Sequence, residues 1–356
     1  MNNNIEKYGY NDFFKTKANM LNMSSEDLIP GRVIEVQKEQ YKIVTEYGEN
    51  AGKLKGALFY NNKIHNVYPT VGDFVLVKNN PLGDDIIYHV LDRKSKFSRL
   101  DSFNKVEQIV AANFDYVFIM ISLNNDFNLK RIERYLTATW QSGALPVIIM
   151  TKLDLCDDYS LQKEQIEKIA PLVPIIAISS VTGEGLEELW SYIEPCKTVV
   201  FLGSSGIGKS SLVNALSGEE IMKVNTIRED DSKGRHTTTH RQLIILKNHA
   251  MIIDTPGMRE LEMWDVSDGL DIVFDEIEAL AKRCKFGDCR HEKEPGCAVK
   301  AALESGEIPR ERWDNYIKLK KESKFAERKE NASLRLQEKA RWKGISKLQK
   351  KSKRRF

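Results

Sequence analysis

The spacing of apolar side chains changes along the chain and divides it into regions. Between residues 31 and 97, short segments rich in β-branched and aromatic residues are separated by turns that contain Asn, Gly and Pro. Segments of this kind are typical of β-strands. Five of them so close together predict a small β-barrel, for which the OB fold is the commonest five-stranded candidate; another small β domain is the alternative. The predicted strands are GRVIEV, QYKIVTE, GALFY, VGDFVLVK and IIYHVL.

From Asn113 onward, continuous apolar strands alternate with amphipathic helical segments. The first strand is FDYVFIMIS, and the helix NLKRIERYLTATWQSG that follows it is predicted to end at Gly143. Strands buried on both faces that alternate with helices predict a parallel sheet of the α/β class. After Gly257 the chain is predicted to continue as helical segments and a polar, basic tail. The remaining predicted strands are LPVIIM, VPIIAIS, TVVFLG, QLIIL and AMIID.

One segment in the second region matches the complete phosphate-binding pattern GxxxxGK[ST]. It follows the apolar strand TVVFL and precedes the helical run SSLVNAL, which is the context that this motif requires. The glycines let backbone N–H groups turn toward phosphates, and the helix N-terminus adds a positive dipole. We expect Lys209 to reach the β- and γ-phosphates and serve catalysis, and the Ser210 hydroxyl to ligate Mg²⁺. The predicted nucleotide-binding residues are Gly203, Ser204, Ser205, Gly206, Ile207, Gly208, Lys209, Ser210 and Ser211.

Two other loops are candidates for recognising the base. The sequence TKLD follows the apolar strand LPVIIM, and a carboxylate at Asp154 can accept from the N1–H and 2-amino groups of guanine. Adenine offers neither donor at these positions, so Asp154 predicts GTP rather than ATP. The ISS sequence after the next strand fits a loop whose backbone N–H groups contact guanine O6. The predicted base-binding residues are Thr151, Lys152, Leu153, Asp154, Ser179 and Ser180.

Two further segments are candidates for sensing the γ-phosphate. The DTPG sequence ends the strand AMIID, so that Asp254 is expected to hold Mg²⁺ through its shell and the Gly257 N–H to contact the γ-phosphate. Switch I is predicted in GRHTTTH (234–240). There Thr238 or Thr239 is favoured for binding Mg²⁺ in the GTP state, although the sequence leaves the register within the threonine run open.

A second cluster of chemistry-bearing residues lies after the last predicted strand. It has the spacing Cys-x4-Cys-x-His-x5-Cys. Three thiolates and one imidazole match a structural, tetrahedral Zn²⁺ site, and four protein ligands leave no open position for catalysis. The alternative is a set of unrelated buried cysteines. The predicted zinc ligands are Cys284, Cys289, His291 and Cys297.

The order of the nucleotide motifs is unusual. Ordinary small GTPases run from P-loop through switch I and DxxG to [NT]KxD, whereas here TKLD (151–154) and ISS come first and DTPG comes last. This order is a circular permutation. With the cysteine cluster after DTPG, the chain resembles the circularly permuted ribosome small-subunit-dependent GTPase A (YjeQ/RsgA-type) family. The resemblance runs from about residue 31 to about residue 320 and rests on TKLD, GSSGIGKSS, GRHTTTH, DTPGMRE and the cysteine cluster.

The resemblance implies a GTPase that binds the small ribosomal subunit and its rRNA, acts in late maturation of that subunit, and uses GTP hydrolysis to drive release. Its implied ligands are GTP or GDP, Mg²⁺ and Zn²⁺. It also points to His236 as a catalytic residue, since Met258 occupies the position where many GTPases place a water-orienting Gln; the alternative is an exposed loop histidine. An RNA-binding assembly factor with GTP as a structural ligand, and a P-loop ATPase, remain as alternatives.

These patterns predict that the chain is divided into five segments. The predicted fold is a circularly permuted P-loop GTPase domain of the α/β class, with an N-terminal OB-like β-barrel and a C-terminal helical zinc-binding domain. The predicted bounds are 1–30 for an N-terminal extension, 31–97 for an RNA-binding OB domain, 98–265 for the GTPase domain, 266–325 for the zinc-binding domain and 326–356 for a basic tail.

The charge distribution agrees with a polyanionic partner. Residues 310–356 hold 18 Lys and Arg against 6 Asp and Glu, although the net charge of the whole chain is only +3. Aromatic residues among them suit RNA contact with occasional stacking, and a merely solvated helix is the alternative. The apolar runs are too short for a membrane span, and the polar N-terminus has no signal-peptide core. We therefore expect a cytoplasmic protein with no membrane partner, and we also expect it to be a monomer.

Overall fold

The structure is a computed structural model that describes residues 4–21, 27–37, 40–56, 68–100, 107–123, 127–204, 206–222, 241–254 and 267–325. Within these residues, no helix is both long enough and apolar enough to cross a membrane. Several predictions concern residues outside the described ranges. They are the roles of Ser205, His236, Thr238, Thr239 and Gly257, and the basic tail at 326–356.

The N-terminal part is a closed five-stranded barrel preceded by a short helix, α1 (Asp12–Leu21). Strand β1 pairs with β2, β2 with β3, β3 with β5, and β5 with β4, which pairs back with β1 and closes the ring. Valine and isoleucine side chains fill the interior. This closure confirms the predicted OB-like barrel. The strands are β1 (Ile29–Gln37), β2 (Gln40–Thr45), β3 (Gly48–Leu54), β4 (Phe74–Lys78) and β5 (Asp85–Val90).

The third barrel strand does not lie where the sequence pattern predicted it. It is formed by GENAGKL at Gly48–Leu54, whereas within the predicted GALFY segment only Gly56 is described, and it is not in a strand. The reason is packing: a Cβ at Gly52 would lie 2.3 Å from Ile43 Cδ1, so the small residue makes room for a core side chain. Pairing and packing outweigh the low strand propensity of this segment.

A hairpin of β6 (Lys96–Leu100) and β7 (Glu107–Ala112) connects the barrel to the α/β part. The strand order there is β10-β9-β8-β11-β13-β12, parallel except for β12. Helix α2 ends at Gly143 as predicted, because that residue adopts a left-handed φ of 86° and its N–H donates to the Trp140 carbonyl. The elements are β8 (Tyr116–Ser122), α2 (Leu129–Ser142), β9 (Leu145–Thr151), α3 (Ser160–Ile169), β10 (Ile175–Ile178), α4 (Leu186–Leu189), β11 (Thr198–Leu202), α5 (Lys209–Ser217), β12 (Arg241–Ile245) and β13 (Met251–Asp254).

The C-terminal part is helical, as predicted, and consists of α6 (Ser267–Val273), α7 (Asp275–Lys282), α8 (Ala298–Ser305) and α9 (residues 310–325). Helix α6 packs directly on α2. A Cβ at Gly269 would lie 2.1 Å from the Thr137 carbonyl oxygen, so the two backbones touch where only glycine fits. The C-terminal part therefore packs on α2, one of the helices that belong to the α/β part.

The barrel and the α/β part share one continuous sheet. Strand β1 pairs antiparallel with β12 through Glu35–Gln242 and Val36–Arg241, and the whole assembly counts eleven strands among the described residues. Sequence pattern alone does not indicate this connection, because the pairing residues are far apart in the chain.

Candidate functional site

The phosphate-binding loop lies between the end of β11 and the start of α5. Gly206 and Gly208 have φ angles of 71° and 101°, a region that favours glycine. A Cβ at Gly203 would lie 2.9 Å from the Met120 carbonyl oxygen of β8, so the loop approaches the neighbouring strand closely. Helix α5 begins at Lys209, and the N–H groups in the first turn of a helix point out of its N-terminus. The loop therefore has the backbone geometry of an anion site.

Lys209 folds back over this loop. Its Nζ donates to the carbonyl oxygens of Gly203 at 2.6 Å and Ser204 at 3.3 Å. Asp254 ends β13, which lies parallel to β11 with Ile253 beside Val200. Burial raises the pKa of the Asp254 carboxyl, and the positive charge of Lys209 opposes that effect.

The same region can hold Mg²⁺. Ser210 is the second residue of α5, the helix that follows β11. Asp254 is the last residue of β13, the strand that pairs with β11. A hydroxyl and a carboxylate therefore belong to neighbouring elements. Oxygen donors of this type are the ligands that Mg²⁺ prefers. The donor set thus fits the ion that the sequence predicted.

The TKLD segment is attached to the phosphate loop through its threonine. Thr151 is 3% exposed, and its Oγ1 lies 2.8 Å from the Ile207 carbonyl oxygen and 3.1 Å from that of Ile121. Lys152 follows with a left-handed φ of 63° and starts the 3₁₀ helix Leu153–Leu155. The base-side segment and the phosphate loop are therefore held in a fixed relation.

Asp154 is held by a residue of the next loop. The Ser179 hydroxyl donates to Asp154 Oδ1 at 2.6 Å, and its oxygen accepts from the N–H groups of Val181 at 3.2 Å and Thr182 at 3.1 Å. The Ser179 N–H itself donates to the Glu184 carbonyl at 3.0 Å. A backbone contact from this loop to guanine O6 stays a prediction, and the structure gives the Ser179 side chain a further role, that of orienting the carboxylate of Asp154.

The structure thus gathers the described candidate residues along one edge of the sheet, at the carboxyl ends of its parallel strands. This is the edge where open α/β sheets bind ligands. The residues are Thr151, Lys152, Leu153, Asp154, Ser179, Ser180, Gly203, Ser204, Gly206, Ile207, Gly208, Lys209, Ser210, Ser211 and Asp254.

The four predicted zinc ligands come together in the C-terminal part. Their ligand atoms all lie within 4.8 Å of one another. Cys284 Sγ lies 3.8 Å from Cys297 Sγ and 3.5 Å from His291 Nδ1, which is 3.4 Å from Cys297 Sγ. Zn–S bonds of about 2.3 Å in a tetrahedron give ligand separations of roughly 3.8 Å, so the cluster fits Zn²⁺.

Two contacts integrate this cluster with the helices. Cys297 is the N-cap of α8, where its Sγ accepts from the Lys300 N–H at 3.3 Å. The His291 ring stands edge-on to Trp313, with 5.7 Å between ring centroids and an angle of 89°. A metal at this cluster would therefore fix both the start of α8 and the position of α9.

A buried carboxylate joins the C-terminal helices to α2. Glu133 is 3% exposed, and its Oε1 lies 2.5 Å from an Arg312 guanidinium nitrogen while Asn315 donates to its other oxygen. Arg312 also contacts Glu276 and donates to the Val273 carbonyl at 2.7 Å. Burial raises the pKa of Glu133, and Arg312 opposes that effect. The sequence signal for this contact is a Glu on the buried face of an amphipathic helix, and Glu133 is not among the residues predicted from the sequence pattern.

Comparison with known proteins gives matches over most of the chain. A family profile described as RsgA GTPase matches residues 90–264. Small ribosomal subunit biogenesis GTPase RsgA 1 of Listeria monocytogenes is 45% identical, with 96% of both chains covered. The crystal structure of YjeQ from Thermotoga maritima gives a TM-score of 0.62 at 30% identity, covering 83% of this chain and 98% of YjeQ. YloQ, described as a circularly permuted GTPase, gives 0.59 at 26% identity, covering 85% and 97%.

Proposed function

The chain belongs to the RsgA GTPase family, and from that premise we propose that it binds the small ribosomal subunit through rRNA and acts in its late maturation. Membership confirms the resemblance drawn from the motifs, and with it a GTP-hydrolysing enzyme that uses GTP, GDP and Mg²⁺. Membership in a GTPase family argues against the P-loop ATPase alternative. We further propose that the protein acts as a monomer in the cytoplasm and that GTP hydrolysis drives its own release or that of another factor.

One observation supports guanine nucleotide binding above the others: Asp154, held by the Ser179 hydroxyl, lies on the same sheet edge as the described part of the phosphate loop. In the proposed mechanism, loop N–H groups from 203 to 209 bind the phosphates and Lys209 neutralises charge on the β- and γ-phosphates. Asp154 selects guanine. Bound Mg²⁺, held by Ser210 and Asp254, would supply further stabilisation of negative charge. Zn²⁺ at the Cys/His cluster would be structural.

The proposed RNA contact involves the barrel as well as the basic tail. A shallow depression of about 460 Å³ on the barrel is lined by residues that include Lys53, Lys55, Asp84, Ile86 and Tyr88, and Lys53 pairs with Asp84 at 2.5 Å. Lys55 Nζ lies 3.7 Å from the centroid of the Tyr88 ring. The ammonium group of Lys55, beside an aromatic ring and an exposed apolar side chain, suits a nucleic acid backbone with a base nearby.

A hydrolysis assay tests the proposal. GTP turnover is measured with and without purified small subunits at two salt concentrations, with Asp154→Asn as the control that impairs guanine recognition. We expect stimulation by subunits that weakens at the higher salt, because phosphate contacts release counterions. Basal turnover without stimulation at either salt concentration would contradict the ribosomal role.

A further inference from the structure

Arg32 of β1 is a buried cation between the barrel and the α/β part. Its side chain is 1% exposed. Among the described residues its hydrogen bonds go to neutral acceptors: the carbonyls of Tyr8, Gly72 (3.3 Å) and Asn113 (3.0 Å), and the Thr198 hydroxyl (2.9 Å). Burial lowers the pKa of Arg32 to about 10, while more distant carboxylates oppose that effect. A charged group is rarely placed in such surroundings without a demanding structural reason.

The partners of this guanidinium belong to three separate parts of the chain. Tyr8 lies in the N-terminal segment. Gly72 and Phe74, whose ring centroid is 4.9 Å from the guanidinium carbon, belong to the barrel. Thr198 is the first residue of β11, and Met251, whose Sδ lies 3.1 Å from an Arg32 nitrogen, is the first residue of β13. The rigid, planar fork of arginine can hold all of these groups at once, whereas lysine presents a single point charge.

The two strands that Arg32 contacts lead to the nucleotide site. Strand β11 runs five residues from Thr198 to the phosphate loop, and β13 runs four residues from Met251 to Asp254. Extended strands rise about 3.3 Å per residue and are paired with each other here, so each is a short, stiff connection.

The N-terminal segment closes the remaining side of Arg32. At Gly9, which has a φ of +82°, a Cβ would lie 2.9 Å from the Cys196 carbonyl oxygen and 3.4 Å from an Arg32 nitrogen. Phe14 of α1 packs against Phe74 with 4.1 Å between ring centroids and an angle of 39° between the ring planes. Residues 4–21 therefore cover the junction between the barrel and the GTPase domain. The Tyr8 backbone carbonyl, which accepts from the Arg32 guanidinium, belongs to this segment.

We propose that Arg32 is the positioning residue that couples the barrel to the nucleotide site. Residues 4–21 complete this junction by packing over it. Nucleotide bound at the phosphate loop stabilises β11 and β13, and through Arg32 it stabilises the barrel. In the other direction, a partner on the barrel acts on the phosphate loop, a consequence that rests on the proposed ribosomal function. Coupling of this kind is reciprocal.

Hydrogen exchange of the full chain with and without GDP tests the coupling without any ribosomal component. In the unsubstituted protein we expect saturating GDP to slow exchange in β1 and β4 by about tenfold or more, since a ligand protects every region that opens together with its site. In Arg32→Lys and in Thr198→Val, GDP should still protect the phosphate loop but protection of β1 and β4 should fall at least severalfold. Thr139→Val, another buried threonine, whose hydroxyl donates to Tyr135, is the matched control.

Thr198→Val removes a single acceptor, so it keeps the test available if Arg32→Lys does not fold. Equal barrel protection by GDP in Thr198→Val and the unsubstituted protein, or no barrel protection in either, would overturn the coupling. Stimulation by small subunits is measured in parallel and should fall about tenfold in Thr198→Val. A lack of stimulation in the unsubstituted protein would refute the ribosomal function and leave the GDP result to decide the coupling.

Discussion

The carboxylate of Asp154 depends on a neighbouring hydroxyl for its orientation. We expect Ser179→Ala to weaken GTP binding by roughly tenfold or more, because a hydrogen bond to a charged group contributes about 1.5–3 kcal/mol. Ser179→Thr retains the hydroxyl and should restore most of the affinity. Equilibrium binding of a fluorescent GTP analogue measures both variants. Equal losses for Ala and Thr would show that the site needs the size of serine and not its hydroxyl.

Asp254, the proposed Mg²⁺ ligand, is expected to cost stability at neutral pH. Its pKa in the folded protein is raised by burial, so the stability linked to its protonated form is complete below the unfolded value of 3.8 and is lost as pH rises through the raised pKa. At neutral pH, Asp254→Asn should therefore raise Tm in the absence of nucleotide while abolishing Mg²⁺-dependent hydrolysis. The Tm difference should disappear as the pH is lowered toward 4. A lower Tm for Asp254→Asn at neutral pH would contradict this assignment.

At the scale of elements, metal and helix are linked through Cys297, which is both a predicted ligand and the N-cap of α8. Removing Zn²⁺ with a chelator should therefore unfold α8 and free Trp313, because small metal sites supply much of their own folding energy. Helical circular dichroism should fall and Trp fluorescence should change, and readdition of Zn²⁺ should reverse both. GTP binding, measured on the same sample, is the control and should persist. Unchanged spectra in the metal-free protein would mean that the metal is dispensable for α8.

The contact between α2 and α9 is expected to depend on a buried ion pair. Glu133→Ala should lower the free energy of unfolding by about 1–3 kcal/mol, because it removes the charged acceptor shared by Arg312 and Asn315 inside the interface, while Arg312 keeps its contact with Glu276. Arg310 and Asp314 form an exposed pair at 3.2 Å on the same helix, so Arg310→Met is a matched control with an expected effect below about 1 kcal/mol. Urea unfolding measures both. A Glu133→Ala loss no larger than the control would place the stability of this interface in its apolar contacts.

Sequence pattern predicted the α/β elements well because their strands are continuous apolar runs and their helices end at recognisable caps. The third barrel strand was predicted at the wrong place, since GENAGKL owes its strand conformation to pairing with β2 and β5 and to the space that Gly52 leaves for Ile43. The phosphate loop and the four predicted zinc ligands were visible as local motifs. Arg32 and Glu133 were not, because their partners are up to 219 and 182 residues away in the chain.

For the whole molecule, charge is divided between the folded body and the end of the chain. Residues 326–356 hold 12 Lys and Arg against 3 Asp and Glu. Truncation after Phe325 should weaken binding to small subunits and flatten its dependence on salt, each lost phosphate contact changing the log–log slope by about 0.7–0.9. A tail of the same length with Gln at the basic positions is the control for charge. Unchanged salt slopes in both variants would exclude the tail from the RNA contact.

The pairing of β1 with β12 has a consequence for the timing of biosynthesis. Val36 leaves the translating ribosome roughly 200 residues before its partner Arg241, a delay of roughly 10–40 s at common elongation rates. During that interval the nascent barrel has β1 incompletely paired and Arg32 lacks both Thr198 and Met251. The permuted chain also delivers its guanine-binding half before its phosphate loop. The nucleotide site and the pairing that fixes the barrel to the α/β part are therefore completed in the same late stage of translation.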